Sequence, residues 1–511
     1  MLLQTIDTTL DKLFSRTFIS IIAVVLLGLF VRIYFTPWHL PSNSQDAFVF
    51  MIEGLSYAKG DFIYFNTRFV WPLFLAVFFT FFKFDDYLGY TTVMRIVSIS
   101  VSVATVPVLY LIARQFVEKK YAIMTTVFFT IESNLVENSI FAITESMFIL
   151  LGLISFYFII QKNEKYFYLA FVFAGLAFDT RLNGVVLFLL LILACIIKIR
   201  SKKKLSITLI IGIGIFLTIS FPHTIYPLVY NTEFFPSVQH IGNAISENHI
   251  TISTYDPTQT PISFNIIENA LKNEFLHIFR INVPYLIILF PFGIIVALKD
   301  LNYQKKILFA AIIISLVIAI PQYTVSNEYR NLFFITPFFC ILSAIGIQKI
   351  TLNIEMKNIF LILLAIGLIL LSYNFLRERY DVDQEAVIER DNLGKYIANN
   401  FHGRLMGDLQ LEIIRNMPNI TMDVLFSNQQ LAVIAPDFTI DTIPKLMDYA
   451  TRNKIDYLIM EYKVDERHYP VFQSIFYNEK DSPFLEKIFD SNNNGYKKTL
   501  VKIFRINYSK Y

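Results

Sequence analysis

The chain has 511 residues, 55% hydrophobic and 17% charged, with a mean hydropathy of +0.52. That balance excludes an ordinary soluble globular protein, because lipid must solvate much of the surface, and a formal charge of +3 is too small to call for a nucleic-acid partner. The two cysteines, Cys195 and Cys340, each stand in an apolar stretch, which points to neither a disulfide framework nor a metal cluster.

The first apolar run, Phe18 to Phe35, is long and lacks a small-residue cleavage site after it, so it reads as a retained span. A helix needs about 20 largely apolar residues to cross the hydrocarbon core. On that scale the predicted spans are 18–36, 88–112, 121–138, 140–160, 166–181, 182–198, 205–230, 280–298, 307–323, 330–348 and 357–376. The stretch 71–82 (WPLFLAVFFTFF) offers only about 12 residues, which suits an interfacial or re-entrant helix.

Basic short loops mark the cytoplasmic side. Here they are Arg114 to Lys120, Lys162 to Lys165, Lys198 to Lys204, Lys299 to Lys306 and Lys349 to Lys357, at every second connection. The N-terminus shares their side, and segment 37–87, loop 231–279 and the tail after residue 376 face outward. The tail alternates helix-like stretches (IPKLMDYATRNK) with strand-like ones (IDYLIMEY), and KKTLVKIFRI after an SNNNG turn ends a hairpin. The predicted fold class is an all-α polytopic membrane domain over residues 1–376, with about 11 transmembrane helices, followed by a small α/β extracytoplasmic domain over 377–511.

An ionisable residue in a span is costly and is by default a functional hypothesis. Arg95, Glu132, Glu137, Glu145, Asp179, Arg181, Arg280, Glu328 and Arg330 all fall toward outer span ends, which predicts a polar chamber open to the outside. Snorkelling near the interface is the plain alternative for any one of them. Arg95 and Glu145 lie a turn or more inside and resist it. In segment 37–70, Asp46 opens a helical pattern (DAFVFMIEGLSYAKGD) that Gly60 ends. A carboxylate there is stabilised by the helix dipole and free N–H groups; the same placement suits a base that deprotonates a hydroxyl.

The order of these elements carries a resemblance. An external Asp46, RFVWP at 68–72, MRIVS, AITESMFIL at 142–150, a G-L-A-x-x-x-R-x-N-G turn from Gly175 to Gly184, and E-Y-R-N-L-F-F-I-T-P at 328–337 together resemble the GT-C glycosyltransferases. The nearest branch is that of the protein O-mannosyltransferases and aminoarabinose lipid A transferases. The resemblance covers roughly residues 15 to 350, and the tail looks like the extracytoplasmic domain of many members.

It implies transfer of a sugar from a polyprenyl-phosphate donor to a protein, lipid or glycan acceptor in or beside membrane lipid. It further implies Asp46 as the catalytic carboxylate and Arg68, Arg181 and Arg330 as matches to the family's cationic positions; Arg95, Glu145 and Arg280 are further substrate-binding candidates by their place at outer span ends. Asp46 lacks the acidic neighbour some members have, since Gln45 and Ala47 flank it, and no Asp-x-Asp occurs in the first loop. No cofactor is implied, and a divalent metal stays open. The rival readings are a lipid-linked sugar flippase, which would place charges near the midplane of two related halves; a polysaccharide polymerase or ligase using loop 231–279 with His240 and His249; and a non-catalytic receptor.

Overall fold

A computed structural model describes residues 16–42, 44–60, 68–221, 262–325, 328–407, 409–416, 431–434, 442–462 and 470–511; His240 and His249 lie outside them. In chain order the helices are α1 (Thr17–Tyr34), α2 (Gln45–Ala58), α3 (Val70–Phe81), α4 (Tyr87–Ala113), α5 (Lys119–Ile131), α6 (Ser133–Ile140), α7 (Glu145–Ile159) and α8 (Tyr166–Thr180). There follow α9 (Val185–Lys198), α10 (Lys202–Ile219), α11 (Ile262–Arg280), α12 (Leu286–Leu298), α13 (Tyr303–Val325), α14 (Thr336–Ile350) and α15 (Lys357–Asn400). The chain divides into two compact units: residues 1–36, 62–75 and 93–378 form the first, and residues 37–61, 76–92 and 379–511 the second.

The first unit is helical. Among the described residues, five helices are long and apolar enough to cross a membrane: Thr17–Tyr34, Tyr87–Ala113, Tyr303–Tyr323, Tyr329–Asn353 and Lys357–Asn400. Shorter apolar helices include Val70–Phe81, Glu145–Ile159, Tyr166–Thr180 and Leu286–Leu298. Ile210, Ile288, Ile313 and Leu363 are exposed, as befits helices solvated by lipid. Inside the bundle α12 and α14 pack where Gly293 faces Leu342: a Cβ at Gly293 would lie 1.8 Å from the Leu342 carbonyl oxygen, so only glycine permits this approach.

Two local departures from the predicted spans stand out, and the first has a clear cause. The stretch 121–138 is broken at Glu132, whose backbone leaves the helical region (ψ 119). Its side chain accepts from the Leu135 N–H at 2.7 Å and from Asn134 Nδ2 at 3.0 Å, so the carboxylate starts a new helix instead of continuing the old one. Before the predicted span 280–298, α11 ends at Arg280, and α12 begins six residues later at Leu286. Arg32, which sequence reasoning passed over, is buried in this unit: Nε donates to Ser102 Oγ at 3.2 Å, and Nη1 to the carbonyls of Thr130 (2.9 Å) and Gly28 (3.3 Å).

The second unit contains a five-stranded sheet: β1 (Gly403–Gly407), β2 (Leu431–Ile434), β3 (Tyr457–Glu461), β4 (Leu485–Asp490) and β5 (Val501–Ile506), in the order β2-β1-β3-β5-β4. β1 runs parallel to β2 and β3, while β5 is antiparallel to β3 and β4. Alternation sorts its side chains onto two faces. Met406, Leu458, Met460 and Phe504 join Leu446 and Met447 of the helix Ile443–Arg452; Leu405, Ile459 and Ile503 join Leu393 and Ile397 of α15. Both predicted strand stretches lie in this sheet, and the helix-like IPKLMDYATR forms Ile443–Arg452.

Glu389 of α15 anchors the chain before β5, accepting backbone N–H bonds from Lys497 (3.1 Å), Lys498 (2.6 Å) and Thr499 (2.9 Å). Desolvation by itself would raise this carboxyl, but the three N–H donors and the Lys498 charge outweigh it and hold it below its usual range. A group lowered on folding contributes stability that is present above its unfolded value, about 4.3 for glutamate, and is lost as pH falls through the folded value. The unfolding temperature of this domain is therefore expected to fall as pH drops through that window, and Glu389→Gln should flatten that part of the profile; an unchanged profile would remove the anchor from the account.

Candidate active site

Glu145 opens α7, immediately after Thr144, where a carboxylate is favoured by the helix N-terminus. It is 1% exposed. A buried carboxylate requires charged or hydrogen-bonding partners, and two arginines supply them. α8 ends at Thr180, Arg181 is extended (φ −154), and Leu182–Gly184 make a 3₁₀ turn into α9. Gly184 permits the turn, because a Cβ there would lie 2.4 Å from the Phe178 backbone nitrogen. From this corner Arg181 Nη1 donates to Glu145 Oε1 in an ion pair, and Nη2 donates to Asn331 Oδ1 at 3.2 Å.

The second arginine comes from the 3₁₀ segment Tyr329–Ile335. Arg330 Nη1 lies 3.6 Å from Glu145 Oε1, and its Nε donates to Glu328 Oε2 at 2.5 Å. Asn183 ties the two corners together, donating to the Asn331 carbonyl at 3.3 Å and exchanging amide hydrogen bonds with Gln322 of α13. Arg280, at the end of α11, stands over the Tyr329 ring at 4.3 Å. Three guanidinium groups thus share one neighbourhood with the carboxylates of Glu145 and Glu328, and guanidinium groups gathered in this way suit a phosphate.

The other predicted residues lie as follows. Arg95 is buried, and its Nε donates to the Ile140 carbonyl at 3.2 Å, placing a cation on the C-terminal turn of α6 just ahead of Glu145. Arg68 is half-buried, two residues before α3. Asp46 is partly exposed in the first turn of α2, whose N-cap Ser44 accepts from the Ala47 N–H at 3.3 Å. It belongs to the second unit, whereas Glu145, Arg181, Arg280 and Arg330 belong to the first. Sequence reasoning missed Asn183, Gln322, Tyr329 and Asn331 as members of the site. Three of them sit inside the quoted R-x-N-G and E-Y-R-N motifs, where a polar residue beside a buried arginine was the available signal.

Residues 79–238, a segment containing Arg95, Glu145 and Arg181, match a family model described as dolichyl-phosphate-mannose-protein mannosyltransferase. No curated protein matches the chain by sequence. Among solved structures, ArnT from Cupriavidus metallidurans bound to undecaprenyl phosphate is similar, with a TM-score of 0.60 and 13% identity, covering 94% of this chain and 97% of that one. The apo oligosaccharyltransferase of Archaeoglobus fulgidus is similar at a TM-score of 0.59 and 9% identity, covering 87% of this chain and 69% of that one. The chain has the GT-C fold. A GT-C chain with this set of apolar helices is an integral membrane protein, and its arginine cluster is built into the GT-C bundle and not into the sheet-bearing unit. The archaeal oligosaccharyltransferase has also been solved with an inhibitory peptide and a dolichol-phosphate, at a TM-score of 0.55 to this chain.

Proposed function

We propose that the protein is a membrane glycosyltransferase that moves a sugar from a polyprenyl-phosphate donor to an extracytoplasmic protein, lipid or glycan acceptor. The observation that carries the reading is the convergence of Arg181 and Arg330 on Glu145, in a fold that ArnT shares and in which it was solved with undecaprenyl phosphate. In this reading the N-terminus is cytoplasmic, residues 1–376 form the transferase domain, and residues 377–511 form an outward α/β domain.

The acceptor oxygen attacks the anomeric carbon as its proton passes to Asp46, and the bond from that carbon to the phosphate oxygen breaks. Polyprenyl phosphate leaves with the electron pair. Its growing negative charge is met by Arg181 and Arg330, assisted by Arg280 and Arg68, in a setting where water is partly excluded. Glu145 keeps the two central guanidinium groups aligned while the site is empty, and Arg95 steadies the turn that carries Glu145. The lipid tail of the donor remains in the bilayer, which is why such chemistry is housed among spanning helices.

The test uses purified protein with synthetic undecaprenyl-phosphate and dolichyl-phosphate sugars. Release of free polyprenyl phosphate, coupled to glycosylation of an acceptor, is the expected result. Movement of intact donor across liposomes without release would replace the enzyme by a flippase.

A further inference from the structure

α11 carries its polarity the wrong way round for a helix on the surface of a soluble core. Leu271, Phe275, Leu276 and Phe279 are exposed, while Glu274 and His277 are buried at 5% and 6% exposure. Glu274 and His277, three positions apart, share one face, and that face packs along α13 and the 3₁₀ segment Tyr329–Ile335. An apolar outward face suits lipid at the membrane interface. The inward face then needs polar partners, and among the described residues one oxygen on it and one on the facing α13 find none.

Among the described residues, neither Glu274 Oε1 nor Tyr323 Oη, both buried, has a hydrogen-bond partner. Leaving such atoms unsatisfied costs free energy, so a buried orphan points to a group supplied from outside the chain. The two belong to one cluster: the carboxylates of Glu274 and Glu328 both act electrostatically on Tyr323. The His277 ring stacks on Tyr323 at 5.3 Å and 20°, and lies 6.2 Å from the Tyr329 ring. Tyr329 is covered by Arg280 and is followed directly by Arg330. The row of rings therefore leads from the orphaned oxygens to the arginines assigned to phosphate.

We infer that Glu274, Tyr323 and the rings of His277 and Tyr329 form the sugar-recognition wall of the site. The Glu274 carboxylate accepts hydrogen bonds from hydroxyl groups of the glycosyl unit, the Tyr323 hydroxyl completes the polar contact, and the rings of His277 and Tyr329 hold the two oxygens in place. The chemical class is a neutral sugar with free hydroxyl groups, joined to a phosphate one bond away. The inference rests on the glycosyltransferase reading and adds to it the residues that choose the sugar.

Equilibrium binding to the purified full-length protein tests it, with undecaprenyl phosphate alone and with undecaprenyl-phosphate mannose, glucose, galactose and arabinose as probes. The wild type is expected to bind at least one sugar-bearing lipid more tightly than the bare lipid. Glu274→Gln and Tyr323→Phe should each weaken that sugar-bearing lipid by about tenfold or more and leave the bare lipid unchanged. Tyr323→Phe removes one oxygen only, so it reports even where the Glu274 variant fails to fold. Equal losses for both lipids, no loss for either, or a wild type that does not distinguish bare from sugar-bearing lipid would overturn the assignment while leaving the phosphate site standing. A wild type that binds no polyprenyl phosphate would sink the glycosyltransferase reading itself.

Discussion

Asp46→Asn is expected to abolish sugar transfer while leaving the protein in the membrane at its normal level. The N-cap of α2 is Ser44 and stays in place, asparagine has about the helix propensity of aspartate, and Asp46 is partly exposed, so α2 should persist. What is lost is the acceptor of the hydroxyl proton, an effect of about 10²–10⁴ in rate. Turnover by purified variant and wild type, with helix content measured on the same samples, checks it. A variant within about tenfold of wild type would fall short of that range and take the base role away from Asp46. Labelling a cysteine placed at position 46 with an impermeant thiol reagent supplies the sidedness: the proposal requires reaction from the extracytoplasmic face.

Removing Arg181 should cost both folding and function. Glu145 is 1% exposed, and without Arg181 its charge would retain the Thr144 hydroxyl at 3.4 Å and, as a charged partner among the described residues, Arg330 Nη1 at 3.6 Å. Breaking a buried pair by deleting one partner typically costs about 3–5 kcal/mol, because the other charge is left uncompensated. Arg181→Ala is therefore expected to lower thermal stability strongly and to eliminate transfer. The double variant Arg181→Ala with Glu145→Ala should recover much of the stability and none of the activity, since no buried charge is stranded but the phosphate contact stays absent. Equal destabilisation of the single and double variants would mean that Arg181 supports the corner by packing alone.

How far the sequence reads through to this arrangement depends on the range of each interaction. Long apolar runs such as 88–112 and 307–323 are visible because hydropathy is a local property, and α4 and α13 match them within a few residues. Helix α2, the short helix at 70–81 and the hairpin of β4 and β5 were likewise announced by local signals: an N-terminal acid with Gly60 at the far end, a run too short to span, and an SNNNG turn. The interruption at Glu132 was not, because whether a carboxylate inside an apolar stretch snorkels or caps a new helix depends on what packs around it.

Within the site, Glu145, Arg181 and Arg330 were legible as charges at outer span ends, whereas their meeting was not. Nothing local to AITESMF, DTRLNG or EYRNLF says that these corners face one another. Glu274 and His277 escaped notice because they sit in a stretch read as part of an external loop. Their spacing against Leu271, Phe275 and Phe279 holds the signal of a helix with one polar stripe, and reading that period would have found them.

Arg32 bears on how the chain is assembled during synthesis. One of its acceptors, the Thr130 carbonyl, lies 98 residues downstream, and Ser102 lies 70 residues downstream. Helix α1 therefore enters the bilayer carrying a cation that has only the Gly28 carbonyl of its own helix among these acceptors, the others being still untranslated, a burden of up to about 2.5–3.5 kcal/mol in an apolar segment. It settles into its final seat only when α4 and α5 arrive, so the locking of this span waits on roughly a hundred residues of further synthesis.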